Sequence, residues 1–351
     1  MSSDRPEHPI HVSIEDLSVH YPLGRVLFGK PPMVRAVDHV SLEIPRASFF
    51  GLVGESGSGK TTLGRAILRA APVSGGRITY RDAEVEYEVG SLDKADLRDY
   101  RRRAQLIFQD PYAALSPRMT VRDIIAEPLE VMKLTTTREA TDERVRDIAA
   151  RCRLNLEHLR RFPHAFSGGQ RQRISIARAL AARPRLVVAD ESVAALDVSI
   201  QADILNLLKA LRDDLRLTIL FISHDLGVVA HVCDMVAVMY LGTIVEVGPS
   251  RSLFAQPRHP YTGALFSAIP SLDPDDRGRA QRLEGEIPSP ANIPPGCRFH
   301  TRCPFARDRC RVEAPAWREV APQQHVACHF SEELAPQLVR HRAAVRTDPG
   351  A

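Results

Sequence analysis

The chain has 351 residues, 44% of them apolar and 6% aromatic, and a formal charge of +4 at pH 7. That size and apolar content exclude a disordered chain and predict a large folded domain with a smaller companion. The slight basic excess admits acidic partners such as nucleotides or an anionic membrane surface but selects none of them. No apolar run approaches the roughly 18 residues of a membrane-spanning helix, and the polar start MSSDRPEHPIHV lacks the basic-then-apolar pattern of a secretion signal. The expected location is therefore the cytosol or the cytosolic face of a membrane.

In chain order, residues 1–9 read as a flexible start, and residues 10–44 as short β-type runs alternating with turns. A compact apolar strand at 48–53 leads into a Gly-rich turn and a helix at 61–71. The stretch 96–172 is charged and helical. It contains Arg101, Arg102 and Arg103, read as a solvated face, and a helix at 138–152. A helix at 171–182 carries Ile174, Ala177 and Leu180 on one side. Strands at 186–189 and 218–223 enclose a helix at 200–211 with Ile204, Leu207, Leu208 and Leu211 at helical spacing. Strands alternating with helices predict a mostly parallel sheet covered on both faces. Residues 236–247, broken at Gly242, read as a hairpin. Prolines and cysteines concentrate after about residue 254, where a domain boundary is placed. The tail after Phe330 shows no pattern.

Gly54, Glu55, Ser56, Gly57, Ser58, Gly59, Lys60 and Thr61, followed by Thr62, fit G-x-x-x-x-G-K-[ST] between a strand and a helix. Glycines let successive backbone N–H groups turn inward on phosphate oxygens, and the helix adds its positive end. Lys60 is placed to reach the outer phosphates and Thr61 to ligate Mg²⁺. Asp190 and Glu191 end an apolar strand, where a parallel sheet presents acids to its ligand crevice. Asp190 is placed to hold Mg²⁺ and Glu191 to act as general base on the attacking water. Ser167, Gly168, Gly169 and Gln170 open a helix and form either a second anion site or an ordinary cap with a flexible turn.

In their order and spacing these three elements resemble an ATP-binding-cassette ATPase. The resemblance implies a P-loop NTPase cassette of class α/β over residues 10–254. It would comprise a RecA-like core, an antiparallel β-subdomain and a helical signature subdomain at about 110–172. It further implies that Gln109 touches Mg²⁺ and the membrane partner, and that His224 contacts the γ-phosphate. Asp197, in Ala195-Leu196-Asp197, would lie at a dimer interface, and Tyr21 would stack on adenine. Two such chains would sandwich ATP head to tail, the signature of one closing the phosphate loop of the other.

Runs at 108–121, 163–173, 259–265 and 296–304 are similar to the oligopeptide and dipeptide importer ATPases, nearer the F-type subunit. The implied partners are a related D-type ATPase, two permeases and, through the complex, an extracellular solute-binding protein. No nucleic acid is expected. The implied location is the cell membrane, peripheral on its cytoplasmic face. Nickel, glutathione or another small solute is the alternative cargo, and a soluble non-transport ATPase the less favoured reading. Three positions depart from the family: Ser192 for Pro, Ala194 for Ser, and Ala47-Ser48 for Gly-Glu.

Cys297, Cys303, Cys310 and Cys328 lie in a small Cys-rich C-terminal module assigned to 255–330, before a tail at 331–351. Four thiols in a reducing compartment favour a metal site over disulfides. Resemblance to the same importers implies a [4Fe–4S] cluster, with zinc the alternative and His300, His325 or His329 as substitute ligands. Cys152 and Cys233 read as core residues.

Overall fold

The computed structural model describes residues 9–24, 31–110, 114–194, 196–269, 283 and 285–339. Strands β1 (Ile10–Pro22) and β2 (Met33–Pro45) are long and antiparallel, with Val12 opposite Ile44 and Tyr21 opposite Val34. The short runs expected at 10–44 are thus two continuous strands. A register shift between Ile14 and Leu17, with Asp16 at φ 51°, interrupts the two-residue period without ending β1. Strand β3 (Phe49–Val53) leaves for a second sheet, while β4 (Gly75–Arg81) and β5 (Glu86–Glu88) complete the first in the order β2-β1-β4-β5.

The second sheet gathers β3 with β6 (Ala104–Ile107), β7 (Leu186–Asp190), β8 (Thr218–Ile222), β9 (Met235–Tyr240) and β10 (Thr243–Pro249). Two C-terminal strands, β11 (Arg318–Ala321) and β12 (Gln324–Val326), extend it, giving the order β11-β12-β10-β9-β3-β8-β7-β6. β6, β7, β8, β3 and β9 are parallel neighbours, and β9 turns antiparallel into β10 through Leu241 at φ 44° and Gly242 at φ 82°. Every residue of β3, β7 and β8 is buried, as a sheet covered on both faces requires.

Successive side chains point to opposite faces, so Phe49 and Phe50 enter different cores. Phe49, Val187 and Phe221 join the helices Val121–Val131, Arg138–Arg151, Gly168–Ala181 and Val198–Leu215. Phe50, Val188 and Leu220 face the helix Lys60–Ile67 and the first sheet. Leu253, Phe254, Tyr261, Phe266 and Phe299 belong to the same core as Phe49. The segment beyond 254 therefore packs into the cassette as well as extending its sheet. Buried Glu246 on β10 pins this joint: its carboxylate accepts from the N–H groups of Arg258 (2.8 Å) and His259 (2.9 Å) and from Gln324 Nε2 (2.8 Å).

Two sequence expectations need correction. Arg103 is largely buried rather than solvated, bonding Asp82, Glu84 and Asp99 at 2.7, 2.8 and 2.7 Å, because its side chain turns in under the first sheet. The tail has structure where none was expected: Ser331–Val339 is a helix packed on the helix Pro260–Ser267. Residues 1–8 and 340–351 lie outside the described residues, as do Pro111, Tyr112, Ala113 and Ala195.

Candidate nucleotide site

β3 delivers the chain into a loop whose glycines are required by its shape. Gly54, Gly57 and Gly59 take φ values of 151°, 77° and 108°. A Cβ on Gly54 would lie 2.1 Å from the Met239 carbonyl oxygen, and one on Gly59 2.2 Å from that of Ala36. The β9–β10 turn supports the loop from below: Gly242 N–H donates to Ser58 O (2.9 Å), and Gly242 O accepts from Asp38 N–H (2.8 Å). The helix Lys60–Ile67 starts here, so its first N–H groups have no partner within the helix, and Thr61 and Thr62 sit in its first turn. Buried Lys60 donates from Nζ to the carbonyl oxygens of Gly54 and Glu55, both at 2.8 Å. Burial lowers its pKa, and the nearby carboxylates of Glu191, Asp190 and Glu55 oppose that shift.

At the end of β7, Thr61 Oγ1 donates to Asp190 Oδ1 across 3.1 Å. Burial raises the Asp190 pKa and Glu191 adds to the rise, while the Thr61 bond opposes it. Glu191 adopts φ 46°, its N–H bonded to Ile222 O at 2.9 Å. This turn brings its carboxylate between two side chains from adjacent strand ends. Gln109 Nε2 donates to Oε2 at 2.6 Å, and His224 Nδ1 stands 3.6 Å from Oε1. Gln109 follows β6, Glu191 β7, His224 β8 and the glycine loop β3, so four adjacent carboxyl ends of one parallel sheet converge. A hydroxyl and a carboxylate, both hard oxygen donors, meet beside an anion-seeking helix end. That donor chemistry fits Mg²⁺ with a nucleotide triphosphate.

The signature residues lie on another surface. Ser167 caps the helix Gly168–Ala181 in a reciprocal box with Gln170, so the helix begins earlier than position 171. Gly169 fits tightly against Ile200, whose Cγ2 would stand 2.5 Å from an added Cβ. Ser167, Gln170 and Asp197 are exposed, and among the described residues none of their hydrogen bonds reaches the phosphate loop. Ser192 is buried, and its Oγ finds no partner among the described residues. Tyr21 is half-buried near the end of β1, against the second core.

The sequence matches the ABC transporter family over residues 37–194 and the C-terminal region of oligopeptide/dipeptide transporters over residues 245–310. Over 317 residues it is 50% identical to a Brucella ovis protein named for peptide import and ATP binding, covering 90% of this chain and 96% of that protein. The chain belongs to the ABC transporter family. Its fold and its match make it an ATP-binding subunit, an ABC ATPase. This ABC ATPase is also 45% identical over 325 residues to the oligopeptide transport ATP-binding protein AppF of Bacillus subtilis, covering 91% of this chain and 97% of that one. Among solved structures it is similar to the cassette MJ0796, determined as a dimer bound to ADP and Pi, with TM-score 0.59 and 26% identity. That likeness covers 68% of this chain and 99% of MJ0796. No helix among the described residues is long and apolar enough to cross a membrane.

All six cysteines of the ABC ATPase are free. Cys152 and Cys233 are core residues whose thiols burial pushes up, Cys152 to about 12. The other four lie in the segment that extends the sheet. Three open a Cys-x-Phe triplet, at 297–299, 303–305 and 328–330, and burial raises the thiol of each while the backbone N–H of its Phe opposes that shift. Among the described residues, however, no group of three or more His, Cys, Asp or Glu is arranged to hold a metal ion. The rings of His300 and His329 bond the carbonyl oxygens of Cys297 and Glu313, and His325 stacks on Trp317.

Sequence reasoning assigned no role to Arg302 or Tyr261, which both reach the phosphate loop. Arg302 donates to both carboxylate oxygens of Glu55 at 2.7 and 3.0 Å, and the Tyr261 hydroxyl accepts from Glu55 N–H at 2.9 Å. No local signal marks them, since each is more than 200 positions from its partner.

Proposed function

We propose that the chain is the ATP-hydrolysing subunit that drives a peptide importer, peripheral on the cytoplasmic face of the membrane. The observation that carries this reading is the convergence of Lys60, Thr61, Asp190, Glu191, Gln109 and His224 at one sheet edge, in a chain whose relatives are named for peptide import. Lys60 exchanges its loop carbonyl partners for the outer phosphates of ATP. Thr61 and Asp190, with Gln109, would hold Mg²⁺, which supplies charge neutralisation on the phosphates. Glu191 accepts the proton of the attacking water. Gln109 and His224 hold the carboxylate in place before ATP arrives, and His224 turns to the γ-phosphate. Tyr21 stacks on adenine.

Ser167, Gly168, Gly169, Gln170 and Asp197 form an exposed surface that would close on ATP held by a second ATPase, the related D-type chain. A groove of about 260 Å³ lined by Phe108, Glu127, Val131, Met132 and Arg178 would receive a helix of one of the two permeases, and the second ATPase would receive a helix of the other. An extracellular solute-binding protein delivers the peptide. The Pro-rich segment 255–330 acts as the C-terminal module. Its four thiols, Cys297, Cys303, Cys310 and Cys328, match in donor type a thiolate-bound [4Fe–4S] cluster, with zinc the alternative. Holding one requires the thiols to draw together beyond their present arrangement.

Affinity purification of the tagged chain from detergent-solubilised membranes tests the assignment. Recovery of two permeases and a second ATPase, with peptide uptake lost on deletion, is expected. Recovery without permeases, or unchanged peptide uptake, would overturn it. Anaerobic purification with iron and sulfide analysis tests the cluster; a colourless zinc-loaded or metal-free chain refutes it.

A further inference from the structure

The C-terminal segment reaches into the nucleotide site of its own chain. Arg302 lies next to Cys303, and its side chain is only 6% exposed. Its guanidinium pairs with both oxygens of Glu55, the second residue of the phosphate loop, and stands 5.9 Å over the Tyr240 ring. Tyr240, Tyr261 and Phe299 pack ring against ring, at centroid distances of 4.7 to 5.4 Å. Tyr261, fully buried, takes the Glu55 N–H. A second tie runs from Arg298, beside Cys297, to Asp38 at 2.6 Å and to Leu241 O at 2.8 Å, at the turn that supports Ser58. The two arginines lie just inside Cys297 and Cys303, Arg302 bonded to the phosphate loop and Arg298 to the turn that supports it.

We propose that Arg302 and Tyr261 are positioning residues for nucleotide binding, which makes the cysteine-bearing segment a working part of the ATP site. The inference rests on the ATP reading above. Two effects follow from the geometry. The Tyr261 bond and the Arg302 pair fix the backbone and side chain of Glu55 within the phosphate loop, which reduces the ordering cost of binding. Arg302 also neutralises a carboxylate within the phosphate loop. Without it, Glu55 repels the triphosphate and competes for Lys60.

The test is the affinity of the full-length chain for Mg·ATP at equilibrium, with the thermal midpoint of the nucleotide-free chain measured beside it. Arg302→Ala is expected to weaken binding about tenfold, the equivalent of one partly screened ion pair. Adding Glu55→Gln to that variant is expected to restore affinity to within about threefold of wild type, because the repelling charge is gone. Packing loss alone would not be rescued in this way. Unchanged affinity in Arg302→Ala, or a double variant as weak as the single, would overturn the proposal. If Arg302→Ala fails to fold, Tyr261→Phe removes only the acceptor hydroxyl. It should weaken binding about threefold, and wild-type affinity would overturn the proposal. Lys60→Ala separates the two readings. Binding that depends on Lys60 but not on Arg302 sinks the clamp alone, whereas a wild-type chain that binds no Mg·ATP sinks both.

Discussion

Gln109 Nε2 donates to Glu191 Oε2 across 2.6 Å, joining the ends of two neighbouring parallel strands at residues 82 positions apart. The bond fixes one oxygen of Glu191 while His224 stands beside the other. A carboxylate held from both sides is ready to accept a proton, and replacing either neighbour should loosen it. Gln109→Ala is expected to reduce turnover by about tenfold to a hundredfold in the assembled transporter while ATP still binds. ATPase rates beside nucleotide titrations check this.

Gly59→Ala should abolish nucleotide binding more completely than its size implies. The added methyl would stand 2.2 Å from Ala36 O at φ 108°, so the loop must move to accommodate it. Mg·ATP titration should show at least a tenfold loss. Gly57→Ala meets no neighbouring atom within 4 Å and carries only the strain of φ 77°. Its loss should be smaller.

Ala47 takes φ 51° in the turn before β3. Ala47→Gly relieves that strain. Denaturant unfolding should show a gain of about 0.5–1 kcal/mol, the left-handed penalty less the extra entropy of glycine in the unfolded chain.

His259 is 1% exposed, and its Nδ1 accepts the N–H of Tyr261, which places the ring proton on Nε2. Burial lowers its pKa from 6.5 to about 3. The unfolded chain therefore takes up a proton first, and the stability that the neutral ring permits is present above pH 6.5 and lost as pH falls toward 3. Glu246 opposes this in part. Burial raises it to about 6, so its own contribution is lost as pH rises from 4.5 to 6. His259→Asn keeps a capping acceptor but does not titrate. Between pH 7 and 5 the wild type should lose about 2 kcal/mol more than the variant, measured by urea unfolding at each pH.

The phosphate loop and the acid pair were legible in the sequence because their physics is local. Glycines at fixed spacing before a helix, and two acids ending an apolar strand, can be read within a few residues. The cap at Ser167 is equally local. The long strands β1 and β2 were not legible, because the bulge at Asp16 breaks the alternation that marks a strand. Arg103 looked solvated because its three carboxylate partners come from Asp82 and Glu84 as well as its own helix. The Arg302–Glu55 pair spans 247 positions and the β10–β12 pairing joins Glu246 to Val326, and no periodicity encodes either.

The proposed role of Glu191 is to activate the water that hydrolyses ATP, so that the chain drives a peptide through a permease. Its most direct test is ATP turnover by the transporter reconstituted in vesicles with its permeases, second ATPase and peptide-loaded binding protein. Glu191→Gln should cut peptide-stimulated turnover by at least a hundredfold and leave Mg·ATP affinity within about twofold of wild type. Turnover near the wild-type rate in that variant, or a wild-type rate that does not respond to peptide, would contradict it.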